Sequence, residues 1–227
     1  MDRRCDREPP SHLTGEREFW SLPFRVSAAV LDPRPDSETL VEAALQKFAD
    51  SEAQFSVLDL GTGSGCLLLS VLKHRPMANG VGVDLSSDAL EIAAWNAARL
   101  GLSQRVRFIR ADWGAGLGST FDLILCNPPY IATGDLEKLE PEVKRFEPRD
   151  ALDGGGDGLD AYRKLFPQFA DLLQSDGVAL VEIGAGQTTG VTEIANKFGL
   201  QISHVYRDLA GIDRCLAVTL ETAFTVT

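Results

Sequence analysis

The sequence predicts an α/β fold built on an open, mostly parallel sheet with helices on both faces. Three observations lead there. From Phe55 onward, short apolar runs alternate with longer amphipathic ones. The short runs end in glycines, in an aspartate or in Asn-Pro, as strands do where they leave a sheet. The longer ones carry apolar residues at helical spacing, so the pattern is repeated β-α-β, which closes into a parallel sheet through right-handed crossovers.

The elements follow in order. Residues 1–17 are polar, with Pro9-Pro10 and Gly15, and are expected to form a linker or arm. Residues 17–31 hold short apolar stretches broken by Ser21 and Pro23, which predicts a small hairpin, with a connector to residue 35. The period then changes. Pro35 stiffens the entry, Asp36 is a candidate N-cap, and Leu40, Val41, Ala44, Leu45 and Phe48 share one helical face. Strands are expected at 55–60, 80–85, 105–112, 121–127, 177–183, 200–207 and 214–220. Helices are expected at 65–74, at 87–102 with Ser87 or Asp88 as its cap, at 159–173 and around 188–198. Pro167 is expected to kink or split the third of these, and residues 131–158 read as a polar, Gly-rich loop. The division implied is a linker or the remnant of a preceding helical domain (1–17), a hairpin with its connector (18–35) and one α/β domain (36–227).

Composition narrows the function classes. No apolar run reaches the roughly 18–20 residues a membrane helix needs, and the first residues have no apolar core for a secretory signal, so cytosol is the default. Cys5, Cys66, Cys126 and Cys215 are scattered without a C-x-x-C pair, and His12, His74 and His204 are equally dispersed; no metal site is expected. A formal charge of −11 opposes direct nucleic-acid binding and favours a basic protein partner or a small cationic ligand.

In an open parallel sheet the ligand lies beyond the carboxyl ends of the strands, where strand order switches. Four strand ends therefore matter. The first reads Gly61-Thr62-Gly63-Ser64-Gly65, whose alternate glycines allow a sharp turn and close backbone approach to a ligand at a helix N-terminus. Cys66 and Leu67 replace the Lys-Ser/Thr of a phosphate-binding loop, and the G-x-G-x-G spacing is not that of dinucleotide binding. The second end is Asp84, nineteen residues past Gly65, where a carboxylate can accept both hydroxyls of a ribose. The third, Asp112-Trp113, sets an acceptor beside a flat ring and suits an adenine. The fourth is Asn127-Pro128-Pro129-Tyr130. The Asn127 side-chain oxygen and the Pro128 carbonyl can hold the two hydrogens of a planar nitrogen and favour positive charge growing on it. The prolines add no donor and stiffen the loop, and Tyr130 can stack on a flat amide or base. No general base is required, because an alkylated amide nitrogen sheds its proton readily to water.

The combination of LDLGTGSG, VDLS, ADW and NPPYI resembles the class I S-adenosylmethionine-dependent methyltransferases that methylate nitrogen. The stretches HLTGEREFWSLPFRVS, PRPDSETLVE, RFEPRDALDGGGDGLDAYRKL, VEIGAGQ and RDLAGIDR make it more similar to the release-factor glutamine methyltransferases, the HemK/PrmC family, over nearly the whole chain. The resemblance implies a Rossmann-like, seven-stranded sheet whose last strand is antiparallel. It implies methyl transfer to the glutamine of a Gly-Gly-Gln loop in peptide chain release factors, leaving S-adenosylhomocysteine. Gly61 to Gly65 would line the methionine side of the cofactor, Asp84 the ribose, and Trp113 with Asp112 the adenine. Asn127 and Pro128 would grip the amide, flanked by Pro129 and Tyr130. Two departures stand out: the small helical domain that usually precedes this fold in the family is expected to be missing, and Asp32 takes a place the family generally fills with an apolar residue.

NPPY alone does not choose between an amide and a nucleobase. The alternative is an N-methyltransferase acting on an exocyclic amine of adenine or guanine, against which stand the acidic charge and the lack of a second basic domain. A binding module keeping only the fold would require a degraded cofactor site, and the glycines, Asp84 and Asn127 are all in place.

Overall fold

Alternate residues of the central strands divide the apolar core in two. Val57, Leu123, Leu125, Val178 and Leu180 face one way, while Leu58, Ile124, Cys126, Ala179 and Val181 face the other. That period of two, on strands with both faces apolar, forces helices onto both sides of the sheet. The structure, a computed structural model, describes residues 5–221; residues 1–4 and 222–227, the outer ends of the first and last expected segments, lie outside them.

A short helix, α1 (Pro10–Thr14), leads into an antiparallel hairpin of β1 (Glu16–Phe19) and β2 (Leu22–Arg25). Its two turn residues, Trp20 and Ser21, both have positive φ, as the twist of a two-residue hairpin requires. The main sheet holds β3 (Ser56–Leu60), β4 (Asn79–Asp84), β5 (Val106–Arg110), β6 (Phe121–Cys126), β7 (Leu173–Glu182), β8 (Leu200–Arg207) and β9 (Asp213–Leu220). Their spatial order is β5-β4-β3-β6-β7-β9-β8, and β9 runs antiparallel to both of its neighbours. The seven-stranded sheet with an antiparallel last strand is therefore as expected. Order switches between β3 and β6, so the ends of β3, β4, β5 and β6 open on one edge.

On one face, α2 (Glu38–Lys47) packs on α3 (Cys66–His74), and α4 (Ser87–Arg99) sends Ala97 into the same cluster. On the other, α6 (Asp160–Leu172) and α7 (Thr188–Asn196) bury Tyr162, Phe166, Phe169 and Val191. Each such aromatic or aliphatic side chain stabilises the fold by about 1.5–3 kcal/mol on full burial, enough to override weak local preferences.

Several local expectations are corrected. Residues 131–158 are not a plain loop: they contain 3-10 turns at Thr133–Lys138 and Arg149–Ala151 and the helix α5 (Pro141–Phe146). Pro167 does not split α6, because the carbonyl it leaves without a donor belongs to the exposed Arg163, where water can serve. Asp36 is not an N-cap; it lies within a 3-10 turn (Pro35–Ser37) that leads directly into α2, and its carboxylate meets Arg214 at 3.3 Å. The cap of α4 is Ser86, whose hydroxyl accepts from the Ala89 amide at 3.2 Å, rather than Ser87 or Asp88. No helix among the described residues is long and apolar enough to cross a membrane, and none of their His, Cys, Asp and Glu side chains cluster as a metal site.

Candidate active site

The turn after β3 is held by its backbone. The amides of Gly61 and Thr62 both donate to the Val83 carbonyl, at 2.9 and 2.8 Å, and the Asn96 carboxamide donates to the Ser64 carbonyl at 2.8 Å. Gly61, Gly63 and Gly65 all have positive φ, which explains glycine at alternate positions. Beneath the turn, Asp59 is buried and accepts from the Thr62 hydroxyl at 2.6 Å. Burial pushes its pKa up to about 7, despite the hydrogen bond that pulls the other way.

Asp84 closes the second strand end. One carboxylate oxygen accepts from the Gly63 amide and the other from the Ser86 amide, each at 2.9 Å. Each oxygen keeps a further lone pair for a hydroxyl ligand. Asp112 is exposed at the cleft, and Trp113, itself at φ 54°, packs its ring over Gly61, where any Cβ would lie 3.4 Å from it. The first and third strand ends thus meet. The Gly114 amide, donating 2.9 Å to the Gln168 side chain, anchors this loop to α6.

Gly61 to Ser64, Asp84, Asp112, Trp113 and Asn127 all line one cleft of about 840 Å³. Ala28 to Leu31 on one side and Pro148, Asp150, Ala151 and Asp153 on another add to its walls. Its rim carries Asp84, Asp88, Asp112, Asp150, Asp153 and Asp160 against a single lysine, Lys164. A small side pocket of about 80 Å³ adjoins it, lined by Pro128, Tyr130, Leu31 and Arg34, and Asn127 lines both.

Asn127 donates from its Nδ2 to the Ser37 hydroxyl at 3.0 Å, which leaves its side-chain oxygen as the free end. No backbone amide among the described residues donates to the Pro128 carbonyl. Tyr130 donates its phenol to Glu182 Oε1 at 3.1 Å; burial raises the phenol's pKa, and the neighbouring carboxylate adds to that. Gln187 fixes the loop from below. Its Nε2 donates to the carbonyls of Tyr130 at 2.9 Å and Gly158 at 3.3 Å, and its Oε1 accepts from the Gly184 amide at 2.9 Å.

The candidate residues named from the sequence line the cleft or its side pocket, except Gly65, which closes the turn against Leu69 and Ala93. Sequence reasoning gave no role to Ser37, Glu182, Gln187, Arg34 or Glu147. Each sits in a stretch that resembles the family, PRPDSETLVE, RFEP or VEIGAGQ, but nothing in those letters tells which side chain meets which. Asp32 proves to be buried, 3.8 Å from Arg17, and its charge helps to raise the Glu147 carboxyl.

Comparisons with known proteins agree with this geometry. A family described as a methyltransferase domain matches residues 51–151, from the approach to β3 past the Asn-Pro-Pro-Tyr loop. The release factor glutamine methyltransferase of Rhodospirillum rubrum is 48% identical over 214 residues, covering 94% of this chain and 65% of that protein. That of Caulobacter vibrioides is 46% identical over 215 residues, covering 94% of this chain and 74% of that protein. The chain thus spans 65% and 74% of the length of these two relatives. A crystal structure of the release factor-specific protein-(glutamine-N5) methyltransferase from Alicyclobacillus acidocaldarius superposes with a TM-score of 0.50 at 28% identity, covering 84% of this chain and 94% of that one. With the strand ends, the cleft and these relatives in agreement, the chain belongs to the release factor glutamine methyltransferase family.

Proposed function

We propose that this protein transfers a methyl group from S-adenosylmethionine to the side-chain amide nitrogen of the glutamine in a release factor's Gly-Gly-Gln loop. The observation that carries the reading is the position of Asn127, which lines both the large cleft and the side pocket and whose side-chain oxygen is unengaged.

The cleft suits the cofactor on its own chemistry. Glycines with positive φ leave open space on the cleft side at Gly63, Asp84 retains acceptor capacity, and the aspartate-rich rim favours a cationic ligand. When bound, S-adenosylmethionine supplies an electrophilic methyl group on a sulfonium. Gly61, Thr62, Gly63, Ser64 and Gly65 would hold its methionine side, Asp84 its ribose, and Asp112 with Trp113 its adenine.

Asn127 and Pro128 would accept the two amide hydrogens of the target glutamine, with Pro129 and Tyr130 flanking the flat amide. Two fixed acceptors orient the nitrogen and stabilise the positive charge that develops as it is alkylated. Because Ser37 engages the donor end of Asn127, that side chain presents its acceptor without rearranging. The proton then leaves from an acidified nitrogen to water, so no basic side chain is needed.

Purified protein incubated with labelled S-adenosylmethionine should label a release factor and leave a Gln→Ala variant of its Gly-Gly-Gln loop unlabelled. Labelling of DNA or RNA with none on release factor would replace this reading by the exocyclic-amine one.

A further inference from the structure

We infer that Glu182 is a positioning residue for the transfer, orienting Asn127 through Ser37 and holding Tyr130 directly, and that it does so as the carboxylate. This rests on the reading above that Asn127 and Tyr130 hold the target amide.

Glu182 is the last residue of β7, 1% exposed between β6 and β9. Among the described residues no cation lies within ion-pair distance of it: Arg214, the nearest charge on β9, is committed to Asp208 at 3.0 Å and Asp36 at 3.3 Å. A carboxyl group in such a place is expensive unless it has donors to receive. Tyr130 provides one, to Oε1, while Oε2 receives none in this conformation. The Ser37 hydroxyl is the other neighbour that favours the ionised form, and Oε2 is the oxygen left for it to serve.

Two bonds and one unmet acceptor carry the inference. Ser37 Oγ accepts from Asn127 Nδ2 at 3.0 Å, so its own proton is free to be given, and Glu182, whose Oε2 is buried without a donor, is the acceptor toward which that hydroxyl can turn. A carboxylate at the end of this chain therefore keeps the donor end of Asn127 inward and its acceptor end toward the substrate. A protonated Glu182 would offer its proton back to Ser37 or Tyr130 and remove that preference. No sequence feature singled out Glu182, and the methyl transfer itself does not touch it.

The groups facing Glu182 are Ser37 and Asp36 from the turn before α2, Cys66 from α3, Cys126 from β6, Tyr130 from the following loop, Tyr162 from α6, and Arg214 and Cys215 from β9. Burial raises the Glu182 pKa to about 7, with Asp36 adding to the rise; Ser37, Tyr130 and Arg214 oppose it. The three thiols and both phenols are themselves shifted upward and stay neutral in that range.

The test compares wild type, Glu182→Gln, Ser37→Ala and Ser37→Thr. It uses release factor as substrate and, separately, NMR of the Asn127 side-chain amide, assigned by its loss in Asn127→Ala. Wild-type kcat/KM should rise with pH through a midpoint near 7. Glu182→Gln should flatten that limb and lower the plateau about 10- to 100-fold, with S-adenosylmethionine affinity within a few-fold of wild type. Ser37→Ala should fall similarly, and Ser37→Thr, which keeps the hydroxyl, should recover most of the rate. The Asn127 amide resonances should shift with the same midpoint in wild type and not in Glu182→Gln. An unchanged rate and profile in Glu182→Gln, or an Asn127 amide that does not titrate in wild type, would overturn the inference. If wild type leaves release factor unmodified, the proposed function fails, and the amide titration alone still decides for or against Glu182.

Discussion

Arg34 donates to the Glu147 carboxylate at 2.5 Å across 113 residues of chain, and the Glu147 side chain is only 2% exposed. The pair joins the turn that carries Ser37 to the segment after α5, and so ties together two walls of the cleft. Burial drives the Glu147 carboxyl up, Arg34 draws it back, and Asp32 pushes it up again. Arg34→Ala leaves that carboxyl buried without its cation and should destabilise the fold by about 1–3 kcal/mol, discounted because Arg34 is a third exposed. Glu147→Gln should cost less, and denaturant titration of the double variant should show a loss smaller than the sum of the two.

Asp84→Ala removes the acceptor for the Gly63 and Ser86 amides as well as the proposed ribose contact. Bonds to a charged group are worth about 1.5–3 kcal/mol, so affinity for S-adenosylmethionine should fall about 10- to 100-fold by calorimetry. Asp84→Asn keeps one acceptor oxygen and should lie between the two.

Gln187→Ala strips the Tyr130 and Gly158 carbonyls of a shared donor and the Gly184 amide of its acceptor. The expected loss is about 1–3 kcal/mol in stability, because buried backbone groups are left unpaired. Turnover of release factor should fall while cofactor affinity, measured by calorimetry, stays close to wild type, since Gln187 touches the Tyr130 loop and not the glycine turn.

Asp59 links stability to pH. Its carboxyl, ordinarily near 3.8, is held at about 7 in the folded chain, with burial as the main cause. Between those values the folded state keeps a proton that the unfolded state has released, so this group's contribution falls as pH rises through the window and levels off above it. Asp59→Asn should match wild type near pH 4 and exceed it near pH 8 by about 1–3 kcal/mol, roughly 2–10 °C in melting temperature. A thermal melt series across that range checks it, and the slope that remains in the variant includes the contributions of Glu182 and Glu147, whose carboxyls burial also raises.

The strand ends were the most legible part of this protein. Each is an apolar run followed by a residue with a special conformational or polar property, and both features are local. The four ends then needed only the rule that parallel strands finish on one edge. Caps and short helices were less legible. Ser86, Ser87 and Asp88 are all good capping residues, and only the backbone geometry selects Ser86. Between 133 and 151 the short turns and helix have almost no apolar periodicity, because they bury little of their own surface and lean on the cleft instead. Pro167 was read by its local effect, while the packing of Phe166 and Phe169 keeps the helix whole on either side of it.

The sequence by itself determined the sheet, its helical covering and the side chains that face the cleft, because periodicity, glycine and proline act within a few residues of themselves. Only the tertiary structure decided what holds those side chains still. Ser37 reaches Asn127 across 90 residues, Tyr130 reaches Glu182 across 52 and Gln187 reaches Tyr130 across 57. Such pairings depend on where the chain returns after a crossover, and a serine, glutamate or glutamine carries no local mark of the partner it will meet.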